Sequence, residues 1–450
     1  MESLTEVVQA IADFGWELVA FVAMALGLLF TVLFKFTQIR RAPEMVRLIT
    51  KGAAGQDGGI SSFQALSMTL ASRVGVGAIA GVATAIAAGG PGAIFWMWVS
   101  GFFGMCTKYA EIVLSIHYRE KGEDGTFVGG PAWYMKKGLN SRFLAICFTI
   151  GLALACIGGN MVQSNTIAET VKEMFNVSPV LIGIFMVILV AIVSIGGVKN
   201  LGRVAEVMVP FMSALYIIGG LIVLCVNFTA IPETFRLIFV SAFTPTSVGG
   251  GIAGFAVMEA IRYGISRGLY SNEAGQGTAP IAHATAKTDH PVRQGLWGIT
   301  EVFINTFLIC TMTALTILTT GVMTADSSPA TLTSVAFGSV LPAMQYVVSI
   351  SLILFAYSTI IGLSFYGETL ARYIGGVKLG LVYRYLFLPF TFIGAIGGLK
   401  TVWGVVDVLI GVAVIPNLIA LLLLSPIVFK LTNQFFADPA KLSAQPEKNR

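Results

Sequence analysis

The chain carries little charge. Asp, Glu, Lys and Arg together supply 11% of its 450 residues, whereas apolar residues supply 56%. Soluble globular domains have about 25% charged and about 45–50% apolar residues. This shortage of charge excludes a soluble fold and predicts a polytopic membrane protein surrounded by the lipid bilayer. The apolar runs are long and continuous rather than alternating, which predicts an all-α architecture instead of a β-barrel.

Residues that commonly carry chemistry are also scarce. There are three histidines and five cysteines, without a CxxC, HxxxH or HExxH pattern. All five cysteines fall inside apolar runs, as expected for buried free thiols. No Ser/His/Asp set, phosphate-binding loop or metal-spaced cluster occurs in a loop. We therefore expect neither a transition-metal site nor catalytic residues, and we predict that the protein is not an enzyme.

Basic residues are concentrated in short loops. The formal net charge of +5 therefore does not indicate a nucleic-acid partner, and no basic stripe with interleaved aromatics is present. Five basic residues in the segment 35–51 follow the first apolar run, and positive loops tend to be cytoplasmic. The sequence predicts about eleven spans in the plasma membrane, with the N-terminus outside and the C-terminus cytoplasmic. The N-terminal stretch is acidic and lacks a basic signal-peptide region, so the first span is expected to direct its own insertion.

Closely spaced glycines interrupt the second apolar run, within residues 61–104. A break in a membrane helix near mid-depth frees backbone amides and carbonyls, which a ligand can then use. This interruption predicts substrate contacts at Gly75, Val76, Gly77 and Ala78. The alternative is helix packing through the small residues Gly77 and Gly81.

A second broken span is predicted between residues 250 and 287, because this region carries several charges and glycines. We expect the break around Gly264 to Gly268, with Ile261, Tyr263 and Gly264 as substrate contacts. Glu259 and Arg262, three residues apart, are expected to pair.

The two breaks begin corresponding blocks of five predicted spans that run in opposite directions. Discontinuous helices in inverted halves indicate the binding site of a secondary transporter. The predicted units are an extra N-terminal helix and loop (1–58), a first repeat (59–230), a second repeat (231–426) and a cytoplasmic tail (427–450).

Polar side chains inside the remaining spans supply further candidates. Asn160 and Gln163 lie on one helix face and are candidate substrate ligands, or they bond neighbouring helices without a ligand. Adjacent hydroxyls of Ser358 and Thr359, with carbonyls freed at Ala71 and Val74, would offer the hard oxygen ligands that sodium prefers. Such hydroxyls also commonly bond to carbonyls of their own helix.

Acidic and amide side chains in the seventh and eighth predicted spans form a separate group. Glu301 and Asn305 are four residues apart, so they lie on the same face of the helix. An acidic residue inside a membrane is by default a candidate for a functional role. Together with Glu273 they are candidates for gating or for a second cation site. Buttressing of the broken seventh span is the alternative for Glu301 and Asn305.

Three motifs resemble the alanine or glycine:cation symporter family. They are GGPGAIFWMWVSGFFG at 89–104, SSFQAL at 61–66 and RGLYSNEAGQGTAPIAHA at 267–284, and the resemblance extends over about residues 12–435. It implies a leucine-transporter-like fold with a five-plus-five inverted repeat and one additional N-terminal helix. It also implies a cation site between the first and eighth core helices. Ala78 stands where the family pattern has Asn, so no polar side chain is available there.

The expected function is therefore sodium-coupled symport of alanine, glycine or a similarly small neutral amino acid by alternating access. Sodium, the amino acid and the lipid bilayer are the expected partners. A proton-coupled carrier, a carrier of another small solute and, in a different class, a channel remain the alternatives.

Overall fold

The computed structural model describes residues 2–51, 59–122, 125–244, 253–323, 329–397 and 400–438. The described chain is almost entirely helical. Its α-helices, in chain order, are α1 Glu2–Leu33, α2 Thr37–Arg40, α3 Ala42–Lys51, α4 Ser62–Arg73, α5 Val76–Gly89, α6 Ala93–Tyr118, α7 Pro131–Gly138, α8 Arg142–Phe175, α9 Pro179–Ile195, α10 Gly197–Val226, α11 Ile231–Ser241, α12 Ala253–Asn272, α13 Ala279–Ala284, α14 Pro291–Val302, α15 Thr311–Thr320, α16 Pro329–Gly338, α17 Met344–Ile396 and α18 Lys400–Ala437.

Three short elements complete the described structure. Strands β1 Glu120–Lys121 and β2 Phe127–Val128 form an antiparallel pair between α6 and α7. A 3₁₀ turn, Phe228–Ala230, precedes α11. A π-helical segment, Phe303–Cys310, joins α14 to α15.

Six helical stretches among the described residues are long and apolar enough to cross a bilayer, and α4 with α5 makes a seventh as one bent span. Helices α6 and α12 have 26 and 20 residues, but each carries charged side chains, such as Lys108 and Glu111 in α6. The all-α membrane fold is therefore confirmed. The number of eleven spans and the inverted-repeat layout remain predictions.

The longest helix, α17, contains a reversal of the chain. A straight helix of its 53 residues would be about 80 Å long, far more than the roughly 30 Å hydrocarbon core. Gly375 and Gly376 leave helical geometry, with φ +67° at Gly376. Beyond them Arg384 returns to donate to Glu368 at 2.6–2.7 Å, so the two halves of α17 lie side by side.

The first predicted break is present. Helix α4 ends at Arg73 and α5 begins at Val76, with a bend of 44° between the two axes. Gly75 precedes α5 with φ −151° and ψ −138°.

The predicted position of the second break is wrong. Helix α12 continues through Gly264 and Gly268 to Asn272. A Cβ on Gly264 would lie 2.5 Å from the carbonyl oxygen of Ala93, and one on Gly268 would lie 2.9 Å from Cβ of Ser100. These glycines allow α12 to approach α6 closely and do not interrupt the helix.

The second break instead comes after α12, in residues 273–278. Glu273, Gly275 and Gly277 take positive φ values of +49°, +88° and +80°, which a regular right-handed helix cannot accommodate. Helix α13 then begins at Ala279. Non-helical residues thus separate α12 from α13, as Val74 and Gly75 separate α4 from α5.

Two other segments refine the predicted boundaries. Helix α11 has 11 residues, too few to span a bilayer. Helix α16, at Pro329–Gly338, is likewise too short to span. The predicted boundary at residue 426 lies inside α18. Residues 250–252 of the predicted broken span and residues 439–450 of the predicted tail lie outside the described residues.

The helices pack so that the two breaks meet. Helix α8 packs against α17 and α18, α6 packs against α12 and α14, and α12 packs against α5. The breaks therefore face α8 and the first half of α17 across a common space.

Candidate functional site

A cavity of about 80 Å³ lies between the two helix breaks. Gly75 and Gly77 of the first break line it, as do residues on both sides of the second break. Its lining residues are Ser72, Arg73, Gly75, Gly77, Leu152, Ala155, Cys156, Gly159, Gln163, Tyr270, Glu273, Gln276, Thr278, Thr359, Leu363, Val406 and Ile410. The small volume and the glycine walls restrict this cavity to small occupants.

Gln163 brings an amide into this cavity. Its Oε1 atom is buried, and no hydrogen-bond partner for it occurs among the described residues. A buried acceptor without a partner is costly, because it has lost its water. A donor on a bound molecule would remove this cost.

Asn160, three residues earlier, has a different environment. Its Nδ2 donates to the carbonyl oxygen of Phe387 at 3.0 Å, and its Oδ1 accepts from Ser164 at 3.2 Å and Thr391 at 3.1 Å. Asn160 therefore joins α8 to α17, which is the packing alternative considered for it, and its side chain is not among the cavity walls.

Three oxygen atoms converge beside Gly75. The carbonyl oxygen of Ala71 lies 2.7 Å from Ser358 Oγ and 3.3 Å from Thr359 Oγ1. Both hydroxyls also lie within 2.9 Å of the Phe355 carbonyl oxygen in their own helix. A Cβ on Gly75 would lie 2.9 Å from Thr359 Oγ1, so glycine allows this close approach. Val74, the fourth expected contributor, is buried in the turn after α4.

One end of the cavity is closed by an ion-pair network centred on Arg73. The side chain of Arg73 is fully buried. Its Nε and one terminal nitrogen donate to Glu273 at 3.2 and 3.1 Å, and its other terminal nitrogen pairs with Glu301. Thr278 Oγ1 adds a 2.5 Å hydrogen bond to Glu273. The network thus ties α4, the second break and α14 together.

His283 and Gln294 extend this network. His283 Nε2 lies 3.2 Å from Glu301, and Gln294 lies 2.7 Å from its Nδ1 atom. Ser62, at the start of α4, donates to Gln294 at 2.7 Å. Polar contacts therefore continue from the cavity to the first residue of α4.

A second set of charges holds the 273–278 segment from the other side. Lys108 donates to the carbonyl oxygen of Glu273 at 2.7 Å. Glu111 lies 3.5 Å from Lys108 and accepts from the backbone of Gly277 at 2.9 Å and from Asn417 at 2.7 Å. All three side chains are buried, so the left-handed turn of the break is stabilised by ionic and amide groups rather than by water.

Comparisons with known proteins identify the family of this chain. A family model described as the sodium:alanine symporter family matches residues 1–449. The sodium/alanine symporter AgcS of Methanococcus maripaludis is 43% identical, with 91% of this chain and 92% of that protein covered. The chain belongs to the sodium:alanine symporter family.

Two further relatives come from Bacillus subtilis. YflA, described as an uncharacterized transporter, is 43% identical over 97% of this chain and 95% of its own length. The amino-acid carrier protein AlsT is 38% identical over 94% of this chain and 90% of its own length. The resemblance stated from the motifs is confirmed, and this symporter-family member belongs to a transporter family rather than an enzyme family.

Solved structures show the fold. MhsT, crystallised with L-phenylalanine, matches with a TM-score of 0.59 at 13% identity, covering 87% of this chain and 98% of that chain. A Na⁺-coupled sialic acid symporter matches with a TM-score of 0.53 at 11% identity, covering 86% and 82%. The leucine-transporter-like fold expected from the resemblance is confirmed.

Several residues that were predicted to contact the substrate lie away from the cavity. Ala78 is fully buried, and its carbonyl oxygen accepts from Thr313 at 3.2 Å. Gly264 contacts α6, and Tyr263 approaches Gly89 at the end of α5. Ile261 packs against the core. None of these four residues is among the cavity walls. The misplaced second break accounts for three of them. The side chain of Val76 lies outside the described part of the structure.

Two of the polar residues paired by the sequence analysis, Arg262 and Asn305, have other partners in the structure. Arg262 lies 3.5 Å from Glu259, but it donates to Glu17 of α1 at 2.6 Å through Nε. Asn305 donates to both oxygens of Ser271 at 3.0 Å. Asn305 therefore buttresses α12, as the alternative for this residue proposed.

Sequence reasoning overlooked Arg73, Lys108, Glu111 and His283. A charged side chain within a membrane helix is itself a signal of function. Arg73 directly precedes the first break, and Lys108 and Glu111 are three residues apart in α6. These signals were available, but the partners are distant in sequence: Arg73 and Glu301 are 228 residues apart.

Proposed function

We propose that this chain is a sodium-coupled secondary active symporter of alanine, glycine or a similarly small neutral amino acid. It works by alternating access and forms no covalent intermediate. The observation that carries the proposal is the small cavity between two broken helices, with an unpartnered acceptor at Gln163. A zwitterionic amino acid has the donor and the carboxylate that this cavity requires.

In the proposed complex the substrate's two charged groups have separate partners. The α-carboxylate lies at the start of α5, where backbone N–H groups freed around Gly75 and Gly77 carry partial positive charge. The α-ammonium donates to Gln163 Oε1. Cys156, Leu363 and Val406 then surround the side chain and leave room for a methyl group or a hydrogen. The preference for small substrates follows from this volume.

Sodium is proposed to bind at Ala71, Ser358 and Thr359, with the Val74 carbonyl as a further ligand. Hard cations prefer such oxygen ligands. The site joins α4 to α17, so occupation by sodium would stabilise the conformation in which the α4 and α5 break is formed. Cation binding thereby favours substrate binding, and the reverse follows by linkage.

The Arg73 network is proposed as a gate at one end of the cavity. It connects α4 with the second break and α14. Opening that end requires these ion pairs to separate while water enters. The basic loops next to this end are predicted to be cytoplasmic, so the gate is assigned to the inner side of the plasma membrane, with the N-terminus outside.

Transport by purified protein in liposomes tests this function. An inward sodium gradient should drive accumulation of labelled alanine above its external concentration, and excess unlabelled glycine should compete. A proton gradient without sodium should drive none. Uptake driven by protons alone would overturn the sodium assignment, and uptake that equilibrates without saturation would indicate a channel.

Proton coupling is the second candidate, and one feature favours it. His283 is buried between Glu301 and Gln294, where a gained or lost proton would alter the gate. The same liposomes distinguish the two cases, because a proton-coupled carrier would acidify the lumen during uptake at constant sodium.

A further inference from the structure

Asn417 of α18 contacts three other parts of the structure through a single amide group. Its Nδ2 atom donates to a carboxylate oxygen of Glu111 in α6 at 2.7 Å and to the carbonyl oxygen of Gly275 in the second break at 2.9 Å. Its Oδ1 atom accepts from the hydroxyl group of Tyr134 in α7. Asn417, Glu111 and Tyr134 are all fully buried, so these hydrogen bonds are shielded from bulk water.

The partners of Asn417 require an amide at this position. The carbonyl oxygen of Gly275 can only accept, and the same Glu111 oxygen already accepts from the backbone N–H of Gly277 at 2.9 Å. Both groups therefore need a donor. The amide of Asn417 directs two N–H donors to them and leaves its oxygen for Tyr134. A carboxylate of the same shape has no donor and would face two acceptors.

The second break depends on side chains from other helices. Glu273, Gly275 and Gly277 have left-handed backbone conformations, so the segment 273–278 has no continuous helical hydrogen-bond ladder. Residues 274–278 are buried, and a buried backbone group without a partner costs free energy. Asn417 satisfies a carbonyl of this segment, and Glu111 satisfies an N–H group.

The conformation of the second break determines one wall of the central cavity. Glu273, Gln276 and Thr278 line that cavity, and Gly275, which Asn417 holds, lies between the first two in the chain. Helix α18 also contributes directly to the cavity through other residues. Asn417 therefore fixes the break to a helix that itself borders the cavity. It acts from α18 on the segment that the Arg73 network holds from α4.

Tyr134 connects this contact to the short helix α7. That helix has Lys136 and Lys137 in its last turn, and the positive-charge pattern predicts a cytoplasmic position for it. Pro131 of α7 also approaches the second break, because a Cβ on Gly277 would lie 2.6 Å from Cγ of Pro131. Hydrogen bonds thus lead from a predicted cytoplasmic helix through Asn417 to the wall of the cavity.

We propose that Asn417 is a positioning residue that holds the second break in the conformation closing the central cavity. Tyr134 holds the amide of Asn417 in the orientation that this role requires. Separation of Asn417 from Gly275 and Glu111 releases the segment 273–278 and opens the cavity on the side of α7. The place of this step in transport rests on the proposed function, whereas the closure itself is independent of the substrate and the cation.

The native cysteines can report this opening. Cys156 lines the cavity, Cys106 is buried elsewhere and Cys225 is exposed. Purified full-length protein is treated with N-ethylmaleimide without substrate, and peptide mass spectrometry measures the modification rate of each cysteine. The first variant, Asn417→Asp, keeps the shape of the side chain but replaces its donors with an acceptor. The second variant, Tyr134→Phe, removes only the hydroxyl group.

Each variant has a matched control. Asn227→Asp makes the same substitution at an amide that donates to the carbonyl oxygen of Val223 in its own helix at 2.9 Å and does not line the cavity. Tyr385→Phe removes a hydroxyl group from a tyrosine that is 58% exposed. Both controls should match the wild type.

Loss of one hydrogen bond shifts an opening equilibrium by about fivefold. Cys156 should therefore be modified about fivefold faster in Tyr134→Phe and faster still in Asn417→Asp, with the rates at Cys106 and Cys225 unchanged. Equal acceleration at Cys106 and Cys156 would indicate general loss of structure and would overturn the proposal. An unchanged rate at Cys156 in Tyr134→Phe would overturn it even if Asn417→Asp does not fold.

Transport by the same variants separates this inference from the proposed function. A cavity that is closed for a smaller fraction of the time binds its substrate more weakly in the same proportion. The KM for alanine uptake should therefore rise in Tyr134→Phe by the factor seen at Cys156. An unchanged KM despite faster modification would remove Asn417 from the transport cycle. If the wild type does not take up alanine, the proposed function fails, and the modification rates alone decide whether Asn417 closes the cavity.

Discussion

Arg73 and Glu301 form an ion pair in which neither side chain is exposed to solvent. The two residues are 228 positions apart in the chain, so the contact exists only when the first helix break, α14 and the second break are assembled. Removing two charges from water costs desolvation free energy, and their mutual attraction offsets this cost only with good geometry and further hydrogen bonds. Glu273 and His283 provide those additional partners.

Removal of one partner should therefore be strongly destabilising. Glu301→Gln leaves the buried guanidinium of Arg73 with Glu273 as its remaining carboxylate, and we expect a loss of about 3–5 kcal/mol. Thermal unfolding of the purified protein measures the change. Glu233→Gln is the control, because Glu233 pairs with Arg236 on an exposed helix face and its removal should have little effect.

A double variant tests whether the pair acts as a unit. Arg73→Met with Glu301→Met removes both charges, so its destabilisation should be smaller than the sum of the two single losses. Additive losses would show that the two residues are not coupled.

Variants of Gln163 and Asn160 should distinguish a residue that binds substrate from one that packs helices together. Gln163→Ala removes the acceptor proposed for the substrate ammonium, and a hydrogen bond to a charged group contributes about 1.5–3 kcal/mol. The KM for alanine uptake should rise roughly tenfold or more, with thermal stability nearly unchanged. Asn160→Ala should show the opposite pattern, because it leaves Thr391 and the Phe387 carbonyl without their partner. An unchanged KM in Gln163→Ala would remove Gln163 from the proposed site.

The hydroxyl pair on α17 predicts a change in sodium dependence. Thr359→Val keeps the branched shape but removes one of the oxygens near Ala71, so the sodium concentration for half-maximal uptake should rise several-fold. Ser351→Ala is the control, since Ser351 lies two turns earlier in the same helix and its buried Oγ has no partner among the described residues. Equal sodium dependence in the two variants would contradict the assignment.

Much of the fold was predictable because bilayer physics acts on local composition. Apolar runs of about 20 residues and short basic loops are visible without tertiary information, and the Gly75–Gly77 interruption was placed correctly. The second break was not, because glycine density does not distinguish a break from a close helix contact. Gly264 and Gly268 have the second role, whereas the left-handed residues 273, 275 and 277 form the break.

The site was only partly predictable for the same reason. Gly75, Gly77, Gln163 and Thr359 line the cavity and were identified from local signals. The contacts between Arg73, Glu273 and Glu301 depend on which helix faces meet. One sequence does not contain that information, although each charge in an apolar helix marks its own position as unusual.

Acid should weaken a contact outside the membrane-spanning helices. Partial burial of Glu120 opposes its ionisation, but hydrogen bonds from Lys137 and Trp133 outweigh this effect and hold its pKa below the usual range. A carboxylate with a lowered pKa stabilises the folded state above its unfolded pKa of about 4.3. That contribution is lost as the pH falls through the folded value. The difference in unfolding temperature between the wild type and Glu120→Gln should therefore shrink from pH 6 to pH 3.5; a constant difference would contradict the shift. Since Glu120 is 46% exposed, the effect should be small.

Gly264, at the contact between α12 and α6, gives the sharpest test of the revised position of the second break. A Cβ on Gly264 would lie 2.5 Å from both the Ala93 carbonyl oxygen and Cβ of Trp96. Gly264→Ala must push α12 away from α6, which should lower the free energy of unfolding by about 1–3 kcal/mol. The KM of the folded protein for alanine should not change. Gly81→Ala is the matched control, because open space surrounds its Cβ position and alanine favours the helix. It should leave stability equal or higher. If Gly264→Ala instead raises the KM for alanine at unchanged unfolding temperature, Gly264 belongs to the binding site and the break at residues 273–278 is not the one that the substrate uses.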